Sequence, residues 1–242
     1  MANIALIIAG GTGARMNQEI PKQFLSVNDK PVIVYTMEAF QKHPEIEGIV
    51  IACLDGWQEA LKAYIRQFHI SKVVEVVNGG KNGQDSIRNG VCAIAKRYDS
   101  EDLILVHDAI RPMLSPEIIS DNIAKCREYG NAITVIPCME AMLRSEDEFE
   151  SRESILRNSL FRAQTPQTIR VGDMVALHQE AVDKGITNSV ATCTLLLELG
   201  KKVYFAKGSE LNIKITTTDD ITIFKALLAT TDSCWMKPCE KG

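Results

Sequence analysis

The sequence is poor in aromatic residues, at 6% of its 242 positions, and carries no excess of positive charge: 27 lysines and arginines stand against 31 aspartates and glutamates, a formal net charge of −4. A protein that grips nucleic acid needs a basic stripe, so that class is set aside and a single nucleotide is the more natural phosphate ligand. Long hydrophobic runs are missing as well. Residues 4–9 form an apolar run too short to span a bilayer, with neither the basic flank nor the cleavage site of a secretory signal, so a cytoplasmic protein without a membrane partner is expected. The seven cysteines are odd in number and scattered, with no Cys-x-x-Cys pair and no histidine at zinc-finger spacing; reduced thiols acting as small hydrophobes are the plain reading. There is no internal repeat and no low-complexity segment.

What is present is an alternation of short apolar runs with segments of helical period, the pattern of a parallel sheet covered on both faces. Strands are predicted at residues 3–9, 47–53, 72–77, 102–106 and 132–136, with helices at 31–41, 57–68, 86–96 and 116–129. Runs such as Ile49-Val50-Ile51-Ala52 and Leu103-Ile104-Leu105-Val106 are apolar throughout rather than alternating, which argues for burial on both faces and a doubly wound α/β sheet. Between Glu140 and Arg162 a charge-rich run replaces the periodicity, and an arm, read as a hairpin, is expected there. After Thr165 the pattern predicts helices at 171–184 and 190–199, strands at 202–206 and 213–216, and a helix at 219–230. The expected organisation is an α/β domain formed by residues 1–138 and 163–232, an arm at 139–162 and a tail at 233–242 holding Cys234 and Cys239.

The first strand runs into Ala9, Gly10, Gly11, Thr12 and Gly13, then Arg15, and shortly afterwards Pro21-Lys22-Gln23. Glycines at the carboxyl end of a strand let backbone N–H groups approach an anion, and open α/β sheets bind ligands at that edge. The spacing fits neither a dinucleotide fingerprint nor a P-loop. Arg15 and Lys22 beside the amides can neutralise a triphosphate. A second glycine turn, Asn78-Gly79-Gly80, is suited to close approach to a base, with Ser86 read as the cap of the following helix. Asp108 at the end of the fourth strand suits Mg²⁺, which favours one or two carboxylates plus phosphate oxygens, and Arg111 can fork onto a phosphate or pair with Asp108 to close a turn. His107 reads as structural. Lys214, inside an apolar strand, either meets an anion or points from an edge strand to solvent.

In this order, from about Asn3 to Leu228, these motifs resemble the family of 2-C-methyl-D-erythritol 4-phosphate and ribitol-5-phosphate cytidylyltransferases; Gln164-Thr165-Pro166-Gln167 and Asn212-Ile213-Lys214 complete the set. The resemblance implies a nucleotide-diphosphosugar-transferase type of sheet and transfer of CMP from CTP to a polyol phosphate with release of pyrophosphate. It implies that residues 10–15 and Lys22 hold the triphosphate, Gly80 and Ser86 the cytidine side, and Asp108 the metal. Arg111, Thr165, Lys214 and an Arg157 reaching from a partner's arm would hold the acceptor, so that the working unit would be a homodimer with shared sites. The chain departs from the family pattern at Glu140-Ala141, at Val190-Ala191 and at Gly83. Trp57, Arg157-Asn158 and Cys193 favour the ribitol-phosphate branch, whose product serves surface polymers such as teichoic acid, over the isoprenoid branch. The rival readings are a non-catalytic nucleotide-binding regulator and a sugar-1-phosphate nucleotidyltransferase.

Overall fold

The computed structural model describes residues 1–11, 20–189 and 191–231. In chain order its elements are β1 (Asn3–Ala9), a 3-10 turn (Lys22–Phe24), the short strands β2 (Ser26–Val27) and β3 (Lys30–Pro31), α1 (Val32–Lys42), β4 (Gly48–Cys53), α2 (Gln58–Gln67), β5 (Val73–Asn78), α3 (Gly83–Ala95), β6 (Leu103–Asp108), α4 (Pro116–Tyr129) and β7 (Asn131–Pro137). There follow β8 (Met142–Arg144), β9 (Glu153–Ile155), a second 3-10 turn (Arg157–Ser159), β10 (Phe161–Arg170), α5 (Val171–Asp183), α6 (Thr192–Glu198), β11 (Phe205–Lys207) and α7 (Thr218–Thr231).

Seven strands make one sheet in the order β11-β7-β10-β6-β1-β4-β5. β1 pairs in parallel with both β4 and β6, and its residues Ile4 to Ile7 are fully buried, as continuous apolar strands require. One face is covered by α1, α2 and α4 through Ile33, Met37, Phe40, Leu61, Ile119 and Ile123. The other is covered by α3, α5 and α6 through Val91, Ile94, Met174, Leu177 and Leu195. The doubly wound, mostly parallel architecture read from the sequence is the one observed.

β10 has no counterpart among the predicted strands, because its sequence, FRAQTPQTIR, is polar and contains a proline. It runs antiparallel between β6 and β7, and its ladder with β7 is interrupted between Ala163 and Gln167, where Pro166 has no N–H to give. Its buried polar side chains are satisfied by neighbours in the fold. Thr168 Oγ1 donates to Asn122 Oδ1, Asn122 Nδ2 donates to Thr134 Oγ1, and Thr134 Oγ1 donates to the Pro166 carbonyl at 2.6 Å. Elsewhere the corrections are local. Residues 213–216 form no strand; only Ile215 N reaches across, to the Ile110 carbonyl, because this segment lies over the carboxyl end of the sheet. Helix α3 starts three residues earlier than expected, capped by the Asn82 side chain, which accepts from Asp85 N; Ser86 is inside the helix and is not its cap. The expected arm is a hairpin, with β8 and β9 paired antiparallel. The tail at 233–242 lies outside the described residues.

His178 on α5 is nearly buried and its Nδ1 has no hydrogen-bond partner. Burial pushes the imidazole down to about 4, with Arg88 adding to the effect and Asp85 opposing it. A base depressed in the fold contributes full stability above its unfolded pKa of about 6.5 and loses it as pH falls toward 4, at about 1.4 kcal/mol per pH unit. Urea denaturation at pH 7 and pH 5 should therefore show the wild type losing about 2 kcal/mol more than His178→Gln over that interval. Equal losses in the two proteins would assign the acid sensitivity elsewhere.

Candidate functional site

β6, β1, β4 and β5 are parallel neighbours, so their carboxyl ends share one edge of the sheet, where a cavity of about 470 Å³ opens. Gly10 and Gly11 follow β1 into it, Gly80 follows β5, and Asp108 ends β6. β10 runs the other way, so it is its amino-terminal and middle residues, with Thr165 and Gln167, that arrive at the same edge. Thr12, Gly13 and Arg15 lie outside the described residues, as does Val190.

The two glycine turns pack against each other around Ser86. Gly80 N donates to Ser86 Oγ at 2.9 Å, and the Ser86 hydroxyl donates to the Asn82 carbonyl at 2.8 Å. A side chain at Gly10 would put its Cβ 2.8 Å from Ser86 Oγ, and one at Gly80 would collide with Asp85. Both positions need glycine for lack of room. Gln23 pins the first turn: buried, it donates from Nε2 to the carbonyls of Ala9 at 2.8 Å and Gly11 at 3.0 Å. The adjoining Lys22 lines the cavity from a 3-10 turn whose Phe24 stacks on Trp57, ring centres 4.6 Å apart at 13°. Trp57, quoted above as a marker of one branch, thus sets the turn that carries Lys22.

Asp108 meets two cations on one oxygen: Arg111 Nε and Lys214 Nζ each lie 3.1 Å from Oδ2. Burial alone would raise the carboxyl; Lys214 and then Arg111 outweigh it and hold Asp108 below the usual carboxylate range. The anion that Lys214 meets in this structure is the protein's own Asp108 carboxylate. Arg111 is only 8% exposed, and its Nη1 donates to the Asn212 carbonyl at 2.7 Å, so its guanidinium braces Asp108 and Asn212 from behind the cavity wall, as the turn-closing alternative anticipated. Asn212 is held in turn to the Thr165 carbonyl. The Thr165 hydroxyl accepts from Asp108 N at 3.1 Å and lies 3.0 Å from His107 Nδ1. His107 Nε2 lies 3.2 Å from the Arg111 carbonyl and can only donate there, so Nδ1 accepts from Thr165. Burial pushes His107 down to about 4, and its neutral ring is a strut between β6 and β10, the structural role expected of it.

Two residues with no assigned role in the sequence reading belong to this site. Gln23 is one; its signal was its place in the Pro21-Lys22-Gln23 motif. Lys81 is the other. It follows Gly80 directly and lines the cavity, where the charged side chains among the described residues are Lys22, Lys81, Lys214 and Asp108. Arg157 is placed differently: it sits at the base of the arm, donates from Nη1 to the Met139 carbonyl at 2.8 Å, and is not among the residues lining this chain's own cavity. Among the described residues no cluster of three metal-binding side chains exists. Asp108 alone fits the way Mg²⁺ accompanies a nucleotide, one protein carboxylate plus phosphate oxygens, since both cations address Oδ2 and no described group donates to Oδ1. If Lys81 faces the phosphates, Lys81→Ala should weaken CTP binding about fivefold, as an exposed cation contributes about 1 kcal/mol. Titration calorimetry reads this directly, and an unchanged affinity would remove Lys81 from the nucleotide site.

Comparison with known proteins agrees with this geometry. The family model described as 2-C-methyl-D-erythritol 4-phosphate cytidylyltransferase matches residues 3–230. A ribitol-5-phosphate cytidylyltransferase of Lacticaseibacillus paracasei is 43% identical over 226 residues, covering 93% of this chain and 97% of that protein. A 2-C-methyl-D-erythritol 4-phosphate cytidylyltransferase of Clostridium botulinum is 38% identical over 228 residues, covering 93% and 97%. A crystal structure of a 4-diphosphocytidyl-2C-methyl-D-erythritol synthase superposes with a TM-score of 0.77 at 26% identity, covering 94% of this chain and 98% of that one. A glycine-lined cavity at the carboxyl edge of the sheet, with Lys22 on one side and the Asp108–Lys214 pair on another, thus sits in a chain that belongs to the 2-C-methyl-D-erythritol 4-phosphate cytidylyltransferase family.

Proposed function

We propose that this cavity transfers CMP from CTP to the phosphate of ribitol 5-phosphate, giving CDP-ribitol and pyrophosphate. The observation that carries the reading is the Asp108–Lys214 pair in one cavity with Gly10, Gly11, Gly80 and Lys22, which sets a carboxylate and cations beside two glycine turns where a triphosphate can lie. The choice of acceptor is supported by the 43% identity to the L. paracasei protein; the 38% identity to the C. botulinum protein favours 2-C-methyl-D-erythritol 4-phosphate as the second reading.

The nucleophile needs little help. A phosphate monoester has its second pKa near 6, so at neutral pH its oxygen is already ionised and no general base is required. That oxygen attacks the α-phosphorus of CTP, the bond to the bridging oxygen of the β-phosphate breaks, and pyrophosphate leaves with the electron pair. Lys22 and Arg15 meet the charge growing on the leaving phosphates, while Lys214 draws the acceptor phosphate into line. The glycine turn after β1 holds the triphosphate of CTP, and Gly79, Gly80 and Ser86 lie on the cytidine side. Asp108 would hold Mg²⁺, which when bound would shield the charge on the triphosphate. Arg157, on an exposed turn beside the 80% exposed Leu156, serves the acceptor site of a second subunit, so the 139–162 arm is the dimerisation element.

A pyrophosphate-release assay with CTP and a panel of polyol phosphates tests the acceptor: ribitol 5-phosphate should give the highest kcat/KM, and a preference for 2-C-methyl-D-erythritol 4-phosphate would select the second reading. Binding of CTP without turnover on any acceptor would identify a regulator instead. Lys22→Ala should lower kcat by more than it raises the KM for CTP, because charge placed on the leaving group acts in the transition state; a change in KM alone would reduce Lys22 to a binding group. The shared-site arrangement is tested by mixing inactive Arg157→Ala and Lys22→Ala subunits. Random exchange makes half the dimers mixed with one intact site in each, so about a quarter of wild-type activity should return. No recovery after confirmed exchange would show that each subunit works alone.

A further inference from the structure

Lys214 has no regular secondary structure around it, so its reach into the cavity depends on how residues 212–217 are held. Upstream, buried Asn212 is tied to Arg111 and to Thr165. In the middle, fully buried Ile215 donates its N–H to Ile110. Downstream, a single oxygen does the work. Asp220 Oδ2 accepts from Thr216 N at 2.8 Å, Thr216 Oγ1 at 2.7 Å, Thr217 N at 2.8 Å and Thr217 Oγ1 at 3.0 Å. Asp220 N returns a longer bond to Thr217 Oγ1 at 3.4 Å.

A capping box accounts for the part of this that involves Thr217 and α7. It does not account for the two bonds from Thr216, which precedes the cap, lines the cavity and stands two residues from Lys214. The carboxylate is rigidly mounted, since Phe224 one turn later is fully buried, meets the Tyr35 ring edge-on at 5.1 Å and packs with Val27, Val32 and Ile215. Burial would raise the Asp220 carboxyl, but the hydrogen bonds from Thr216 and Thr217 outweigh it and keep the group charged.

We propose that Asp220 is a positioning residue: its carboxylate clamps Thr216 and Thr217 to α7 so that Lys214 is delivered to Asp108 and to the substrate phosphate beside it. The C-terminal helix then takes part in transfer without touching substrate.

The test has two arms, and only the kinetic one rests on the proposed reaction. In the chemical arm, the intact protein is treated with limiting acetylating reagent and the modification of Lys214 is compared by mass spectrometry with that of exposed Lys96. Asp220→Asn should raise the relative reactivity of Lys214 about fivefold as its pairing with Asp108 loosens; unchanged reactivity overturns the clamp whatever the acceptor proves to be. In the kinetic arm, Asp220→Asn should lower kcat about tenfold, the share of a hydrogen bond to a charged group, with the KM for CTP held within about twofold. Placed on Lys214→Ala, the same change should add no further loss; an equal loss in both backgrounds overturns the proposal in favour of a merely structural cap. Should Asp220→Asn fail to fold, Thr217→Ala removes one of the four donors and must shift Lys214 reactivity in the same direction, and an unchanged value in that folded variant counts against the clamp. A wild type that turns over no polyol phosphate would sink the proposed function while the acetylation result still decides the clamp.

Discussion

An ionised carboxylate at the end of an otherwise apolar, buried strand must be matched by positive charge, and Asp108 is matched twice. Its partners come from different places: Arg111 from the turn directly after β6, Lys214 from the far end of the chain. The ion pair can close only if the segment around Lys214 lies across the mouth of the sheet, which in turn needs Asn212 seated on Thr165 and Ile215 seated on Ile110. Asp108, Thr165, Arg111 and Asn212 thus form one connected polar set, in which Asn212 Oδ1 alone is buried without a hydrogen-bond partner among the described residues. Buried networks of this kind strengthen when complete and are costly when one member is lost.

What could be read from the sequence followed from how strongly each segment was constrained by burial. β1, β4 and β6 are buried on both faces and spell themselves out in unbroken aliphatic runs; α4 was legible to both ends because Pro116 and Gly130 punctuate it, the glycine at a φ of 90°. β10 was illegible because its interior is polar and its satisfaction comes from Asn122 and Thr134, residues remote in sequence whose proximity no local pattern reveals. The 213–216 segment failed in the opposite sense. Its alternating apolar residues do bury Ile215, but against Ile110 and α7 and not within a sheet, and periodicity does not distinguish the two.

The same division holds for the site. Gly10, Gly80, Lys22, Asp108 and Lys214 carry their chemistry in their residue type and in their position at the end of a strand or turn, and the fold brings all five to one cavity. Ser86 was noticed for the wrong local reason: it is a post between two loops, and that role depends on a packing contact between Gly10 and Gly79 that only the folded chain displays. The inward turn of Arg111 and the clamp at Asp220 likewise depend on what lies across the cavity mouth. Cation and carboxylate positions were legible, as was the local Asp108–Arg111 pairing; the long-range pairing of Asp108 with Lys214 was not.

The arm has a further consequence that follows from where it is rooted. β7 ends and β10 begins side by side at the ligand-binding edge, Phe161 opposite Pro137 and Cys138 N bonded to the Leu160 carbonyl, so residues between them are an enlarged hairpin loop between adjacent antiparallel strands. The entropy of closing such a loop grows only slowly with its length, by about 0.6 kcal/mol for each doubling. Lengthening, trimming or recharging this loop therefore alters what is displayed beyond that edge of the sheet while leaving the sheet register untouched. A surface insertion rooted in this way can be edited without disturbing the strands that carry the site.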